Sequence, residues 1–263
     1  MPEDKQKLAF DISLTPDLLE IAKEAGNILM HYFDGKSPLK AIEKDDSSPV
    51  TQADIEADLF IRNALERLCP HIPVVSEEGE KMDQEKRMSS PSIWLVDPLD
   101  GTRSFIRSSP EFAVCIGLVT NTSPEFGIIY LPFWQQLYWG IKGKGAWLTE
   151  KNRTSELNVS SRKNDLVAIL SHIYARSEKE EILSPFPVTQ WQSASSALKF
   201  CRIAEGSADL YARKGTTMEW DTAAGHALVE AAGGRVYNPY TGTDLKYNKE
   251  YLENGPFLCS GIG

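Results

Sequence analysis

The run Ile93-Trp94-Leu95-Val96-Asp97-Pro98-Leu99-Asp100-Gly101-Thr102 constrains this chain more than any other segment. Its apolar start is short and rich in β-branched and aromatic side chains, which favours a strand. The strand runs straight into two aspartates three positions apart, with Pro98 and Gly101 shaping the turn. Two carboxylates and the Thr102 hydroxyl therefore leave one strand end together. Hard oxygen donors of this kind suit Mg²⁺, which takes oxygen ligands at about 2.0–2.1 Å, keeps several waters and is completed by substrate phosphate. A turn in which Asp97 and Asp100 merely satisfy backbone N–H groups fits the spacing equally well.

Further acidic positions also sit next to element ends. Val74-Val75-Ser76-Glu77-Glu78 puts a carboxylate pair directly after a short strand, and Glu219-Trp220-Asp221-Thr222 puts Asp221 at the mouth of a helix. Each has a bland alternative. Asp221 suits a helix N-cap, Glu77 and Glu78 a solvated acidic turn, and Asp54 a first-turn charge that complements the helix dipole.

Around these positions the chain reads as mixed α and β. A helix is signalled at Thr15-Pro16-Asp17, a capping residue followed by proline. Leu18, Ile21, Ala22, Ala25, Ile28, Leu29 and Tyr32 then form its apolar face. A second helix begins close to Thr51, with Ile55, Leu59, Phe60, Ile61, Leu65 and Leu68 as its face and Asp54 in or near an exposed first turn. Between the helices, Lys44 to Pro49 reads as a loop or hairpin edge. Strands are expected at Val74-Val75, Ile93–Val96, Phe112–Val119, Gly127–Tyr130, Gln136–Trp139 and Leu166–Leu170. Helices are expected at Ser195–Glu205 and Thr222–Ala232, the latter closed by Gly233-Gly234. No linker-like stretch or repeat divides the chain. A single unit over 1–263 is expected, with approximate halves 1–155 and 156–263 sharing a long interface.

Composition narrows the function classes. With 263 residues, 41% of them hydrophobic, the chain can bury a large core, and its composition excludes disorder and low-complexity classes. Lys and Arg number 28 against 37 Asp and Glu, a net charge of −9, so general attraction to nucleic acid or an anionic bilayer is disfavoured. The N-terminal residues do not form a secretory signal and no apolar run reaches membrane-span length, which gives the expectation of a cytoplasmic protein. Peripheral association with the inner membrane is left open, and the sequence carries no sign of an oligomeric state. Cys69, Cys115, Cys201 and Cys259 are widely spaced and read as reduced core thiols. The four histidines offer no zinc spacing. The glycines of Gly140-Ile141-Lys142-Gly143-Lys144-Gly145 read as turns, not as a phosphate cradle.

Taken in order, Asp46 to Asp54, Ser76-Glu77-Glu78, Trp94 to Thr102 and Trp220-Asp221-Thr222-Ala223-Ala224-Gly225 resemble the motif set of the inositol monophosphatase superfamily. The run Asp100-Gly101-Thr102-Arg103-Ser104-Phe105-Ile106-Arg107 is similar to the D-G-T-K-x-F-I-K of its bacterial 3′(2′),5′-bisphosphate nucleotidase branch, with Arg in place of Lys twice. Ser195-Ser196-Ala197-Leu198-Lys199 and the downstream Arg213 resemble that branch's nucleotide-binding residues. The branch often carries S-R-S-H where this chain has Leu170-Ser171-His172-Ile173, so the arginine is missing.

The resemblance implies an α/β (α+β) fold of the layered αβαβα sugar-phosphatase type. It implies Mg²⁺, two or three ions, held by Glu77, Asp97, Asp100, Asp221 and the Leu99 carbonyl, and it implies lithium sensitivity. Thr102 and Asp54 would form a pair that orients and activates the attacking water, with Glu77 contributing to catalysis. Gly101, Thr102, His172, Ser196, Lys199, Arg213 and Asp221 would meet the substrate, a small phosphorylated nucleotide. Two ions about 3.5–4 Å apart can activate water, bind phosphate oxygens and neutralise the leaving oxygen. The expected reaction converts adenosine 3′,5′-bisphosphate to AMP and phosphate. A sugar or inositol monophosphatase, and a non-catalytic phosphate-binding protein, are the alternatives.

Overall fold

The computed structural model describes residues 10–43, 49–172 and 182–262. A 3₁₀ turn at Ile12–Leu14, capped by Asp11, leads into α1 (Thr15–Phe33). The turn displaces the expected cap: Thr15 is the first helical residue, and Leu14 takes the N-cap place without a side-chain bond. Leu18, Ala22, Ala25, Gly26, Leu29 and Tyr32 are buried, whereas Ile21 and Ile28 lie at the margin of that face. Strands β1 (Ala41–Glu43) and β2 (Pro49–Thr51) pair as an antiparallel hairpin. Residues 44–48 between them, the expected loop, lie outside the described residues.

Helix α2 (Gln52–Leu68) starts where the sequence indicates, but its buried face is rotated. Ala53, Asp54, Ala57, Asp58, Ile61, Ala64 and Leu65 point inward, while Ile55 and Leu59 are 44% and 53% exposed. Residues two positions apart on a helix point about 200° apart, so Ala53 and Ala57 cannot share a face with Ile55 and Leu59. Small alanines let α2 pack closely beside α1, and close packing outweighs the greater apolar area of the isoleucine and leucine.

Strands β3 (Val74–Ser76), β4 (Ser92–Asp100), β5 (Ala113–Thr120), β6 (Ser123–Leu131), β7 (Gln136–Ile141), β8 (Gly145–Glu150) and β9 (Arg153–Leu157) form a seven-stranded sheet in chain order. β3 and β4 are parallel, and the other neighbours are antiparallel. The short helices α3 (Gln84–Ser89) and α4 (Thr102–Ile106) flank β4. In the second sheet β10 (Leu166–Leu170), β11 (Val188–Ser193), β12 (Leu210–Arg213), β14 (Arg235–Tyr237) and β16 (Phe257–Ser260) run in the order β11-β10-β12-β16-β14. Between the sheets lie α5 (Leu198–Ala204) and α6 (Ala223–Ala231), and β13 (Thr217–Met218) pairs with β15 (Glu253–Asn254) at one end.

Alternation along the strands assigns each side chain to a layer. Val114, Ile116 and Leu118 of β5 pack on α1 and α2. Ala113 and Cys115 face the middle layer, where α5, α6 and the second sheet share one core. The outer face of the second sheet is covered by Leu183 with Ile182 and Phe186 beside it. The expected layered α/β fold is therefore observed. Strands covered on both faces read as continuous apolar runs, which is why they stood out in the sequence.

A track of glycines sets how closely α6 approaches the first sheet. Gly117, Gly127 and Gly140 are register partners on β5, β6 and β7. A Cβ at these positions would meet Ala223 Cβ at 2.9 Å, the Ala224 carbonyl oxygen at 2.2 Å and Ala231 Cβ at 2.9 Å, respectively. Gly140 thus belongs to a strand under a helix and not to a turn; the turn proper carries Gly143 at φ +69°. All four cysteines are buried and unbridged, as expected.

Gly127→Ala must push α6 off the sheet, because its nearest neighbour is rigid backbone. We expect a loss of about 3 kcal/mol in chemical unfolding, the upper part of the overpacking range; a loss under about 1 kcal/mol would show that α6 is not held at this distance.

Candidate active site

Residues an odd number apart on a regular strand face opposite ways, so Asp97 and Asp100 should diverge. A bulge corrects this. Asp97 pairs with Cys115 and Asp100 with Ala113, three steps on β4 against two on β5. Since Ala113 and Cys115 both face the middle layer, so do the two aspartates. Asp97 is 2% exposed, and its Oδ1 accepts the Leu99 N–H at 3.0 Å. Asp100 Oδ2 accepts from Ser196 Oγ at 2.8 Å and from the Ala197 N–H.

The parallel β3/β4 pair brings Glu77 alongside, its N–H bonded to the Val96 carbonyl at 3.1 Å. Asp221 arrives from the turn between β13 and α6. It does not cap the helix: Thr222 holds the N-cap position, and Asp221 Oδ2 accepts the Met218 N–H at 2.7 Å. Ligand oxygens of Glu77, Asp97 and Asp221 lie within 4.8 Å of one another. Burial, then the charges of Glu77, Asp100 and Asp221, push the Asp97 carboxyl well above the usual carboxylate range. Burial and then Asp100 raise Asp221 as well. Asp100 is raised by burial, but Lys199 and the Ser196 and Ala197 donors oppose the shift. Hard oxygen donors converging around a shared deficit of positive charge fit a divalent cation such as Mg²⁺.

Asp54 is 1% exposed, not in an open first turn. It closes a capping box on α2: its Oδ2 accepts from Thr51 N at 2.8 Å and from Thr51 Oγ1 at 2.5 Å. Its Oδ1 faces Thr102 Oγ1 at 3.2 Å. The same hydroxyl lies 3.1 Å from the Leu99 carbonyl, so one proton serves two acceptors. Burial raises the Asp54 carboxyl, and the Thr51 and Thr102 bonds partly offset that rise. Gly101, at φ +98°, precedes α4, and a Cβ there would meet the Glu111 carbonyl at 2.9 Å, so only glycine fits.

These groups line a cavity of about 380 Å³, within the range of small-molecule sites. Its lining also carries Lys199, Arg213, His172 and Arg103. Lys199 is 3% exposed and donates to the Ser196 and Ala194 carbonyls at 2.6 and 3.3 Å, with its Nζ 5.1 Å from the Tyr211 ring centre. Burial lowers its ammonium to about 8. Arg213 Nη1 donates to Ser171 Oγ at 3.3 Å. His172 Nε2 lies 3.0 Å from Glu111 Oε2, which also accepts the Ser195 N–H at 2.9 Å. Every sequence-predicted site residue thus lies at or beside one cavity; Asp54 reaches it through Thr102.

Sequence reasoning missed Glu111 and Tyr211, which gave no local signal, and quoted Ser171 beside His172 without giving it a role.

A model of the inositol monophosphatase family matches residues 13–261. The chain belongs to that family, whose enzymes are metal-dependent phosphatases. It is 41% identical over 242 residues to the 3′(2′),5′-bisphosphate nucleotidase CysQ of Escherichia coli K12, covering 92% of this chain and 97% of that protein. The crystal structure of CysQ from Bacteroides thetaiotaomicron superposes with a TM-score of 0.83 at 34% identity, over 94% of this chain and 97% of that one. Inositol monophosphatase from Anabaena superposes with a TM-score of 0.75 at 28% identity, over 96% and 92% of the two chains.

Asp97→Asn keeps the acceptor for Leu99 N–H and removes a buried charge. Without divalent cation this variant is expected to melt higher than the wild-type protein, and with saturating Mg²⁺ the order should reverse. A wild-type melting temperature indifferent to Mg²⁺ would contradict a cation site at Asp97.

Proposed function

We propose that this protein hydrolyses adenosine 3′,5′-bisphosphate to AMP and inorganic phosphate, and its sulfated analogue to the 5′-phosphosulfate. The observation that carries the reading is that an acidic trio and the Lys199–Arg213 pair line one cavity. A monophosphate needs the first, and a second phosphate uses the other. The nucleotidase relatives, similar over nearly their whole length, support the same substrate class.

In this reading Glu77, Asp97, Asp100, Asp221 and the Leu99 carbonyl would hold two or three Mg²⁺, which when bound would supply a lowered pKa for the attacking water and positive charge for the phosphate and leaving oxygens. Thr102 Oγ1 orients that water and takes its proton while its own passes to Asp54 Oδ1. Burial has raised the proton affinity of Asp54, which suits it to receive. The bond from water oxygen to phosphorus forms as the bond to the 3′-oxygen breaks, and the leaving oxygen gains a proton from solvent. Backbone N–H groups at Gly101 and Thr102, opening α4, add an anion-binding end. Arg213 clamps the 5′-phosphate through its guanidinium fork. Lys199 supports it from behind Asp100, and Ser196 and His172 border the ribose and base. With cations held by these carboxylates the local field would be inverted, which is how an acidic chain would take an anionic substrate.

Lithium inhibition belongs to this reading, as does a cytoplasmic place of action. Among the described residues no helix is long and apolar enough to cross a membrane. Nothing supports a peripheral membrane association, and it forms no part of the reading.

Phosphate release from adenosine 3′,5′-bisphosphate, inositol 1-phosphate and fructose 1,6-bisphosphate, with and without Mg²⁺, tests the assignment. The nucleotide should be preferred and turnover should require the metal; a preference for inositol 1-phosphate would replace the nucleotidase reading. Arg213→Ala should raise KM for the bisphosphate by about tenfold or more, the worth of a charge-assisted pair, and spare inositol 1-phosphate; equal losses would remove Arg213 from the phosphate clamp. Asp54→Asn should lower kcat by about 10²–10⁴ with little change in KM, as loss of a proton acceptor predicts.

A further inference from the structure

Glu219 precedes the ligand Asp221 by two residues and shares its Glu-Trp-Asp run, yet its carboxylate joins a different network. It is fully buried, where an unpaired carboxylate would be strongly disfavoured. Oε2 accepts the Asn248 N–H at 2.6 Å, and Oε1 accepts the Lys249 N–H at 3.1 Å and Lys249 Nζ at 2.5 Å. The ammonium is spent in turn on the Lys246 carbonyl at 2.8 Å and Asn254 Oδ1 at 2.9 Å. Asn254 Nδ2 then donates to Thr222 Oγ1 at 2.8 Å and to the Met218 carbonyl at 3.2 Å. The turn that presents Asp221 is thereby tied on both sides to residues 246–254.

The outer end of that segment is anchored too. Arg87 of α3, 4% exposed, donates to Asn248 Oδ1 and the Lys249 carbonyl, both at 2.7 Å, and to the Glu250 carbonyl at 3.1 Å. A run of bonded groups therefore leads from α3 to the turn at 217–222.

We propose that Glu219 is a positioning residue whose carboxylate, locked to Asn248 and Lys249, holds the 217–222 turn so that Asp221 stays against Glu77 and Asp97. The physical need is plain. Asp221 sits among like charges that repel it, and while α6 follows directly on one side of its turn, the other side is paired only through a strand of two residues. Local pairing that short frays unless something else holds it. The inference rests on the reading that Glu77, Asp97 and Asp221 bind a divalent cation.

Calorimetric titration of Mg²⁺ into the full-length protein tests it, with circular dichroism to check folding and phosphate release to give kcat. Glu219→Ala should weaken Mg²⁺ binding by about 10- to 100-fold, as expected for a group behind a metal ligand, while kcat at saturating Mg²⁺ stays near that of the wild type. The paired change Glu219→Gln with Lys249→Met removes the buried charges and keeps one amide oxygen for a backbone N–H of the 248–249 segment, and should recover part of the affinity. A folded Glu219→Ala protein that binds Mg²⁺ like the wild type would overturn the proposal, as would a paired variant no better than Glu219→Ala. Should Glu219→Ala not fold, the paired variant and Arg87→Met, which cuts only the outer tie, decide: binding recovered in the first and weakened in the second supports the assignment, and the reverse sinks it. Asp221→Asn separates the two levels. If it binds Mg²⁺ as the wild type does, the cation site itself is wrong; if it does not, the site stands and only Glu219 is in question.

Discussion

Three carboxylates brought within reach of one another, one of them buried, form the interaction to which the rest of the molecule is fitted. Each would be easier to accommodate alone in water. Holding them together takes rigid elements from distant parts of the chain: the end of β4, the residue after β3, and the turn before α6. The parallel β3/β4 pair settles Glu77 against Asp97 through backbone bonds, which repulsion between side chains is too weak to break. The glycine track on β5, β6 and β7 brings α6 close enough for Asp221 to complete the group. Loosening either would let the like charges separate, and the place for a cation would disappear with them.

The surroundings sort by sign. Beyond Asp100 the cavity wall turns basic, with Lys199 and Arg213 opposing the burial shift on Asp100. A dianionic phosphate with a second phosphate attached matches such a gradient at both ends once cations occupy the acidic end. The net charge of −9 matters little beside this local arrangement, because exposed charges more than a Debye length away are screened.

The catalytic motifs were legible in the sequence because their chemistry is local. Asp97-Pro98-Leu99-Asp100-Gly101-Thr102 carries its own turn residues, and a strand buried on both faces announces itself as an unbroken apolar run. Asp54 was legible as a first-turn acid but not as a buried one. Its capping box is a local pattern, whereas its burial and its bond from Thr102, 48 residues away, come from the tertiary fold. The face of α2 was misjudged because side-chain size is visible in a sequence and the closeness of a neighbouring helix is not. Gly140 looked like its turn-forming neighbours, since only the helix above it tells a packing glycine from a turn glycine. Glu111, Arg87 and Lys249 were silent for a related reason. Each acts through a partner far away in the chain, and nothing in a lone acidic or basic residue names that partner.

Asp97 and Glu219 show how one fold treats two buried carboxylates differently. Glu219 is met by three donors, an ammonium among them, and needs nothing from outside. Asp97, just as deeply placed, receives from the protein a single N–H among the described residues, that of Leu99, and faces two further acids. A chain that can surround Glu219 with donors can do the same for Asp97, yet the groups nearest to Asp97 are negative. The deficit around Asp97 is therefore a property of the site and not a failure of packing; in the proposed reading its counter-charge arrives from solution, and a divalent oxygen-loving ion would supply it with the fewest particles to order.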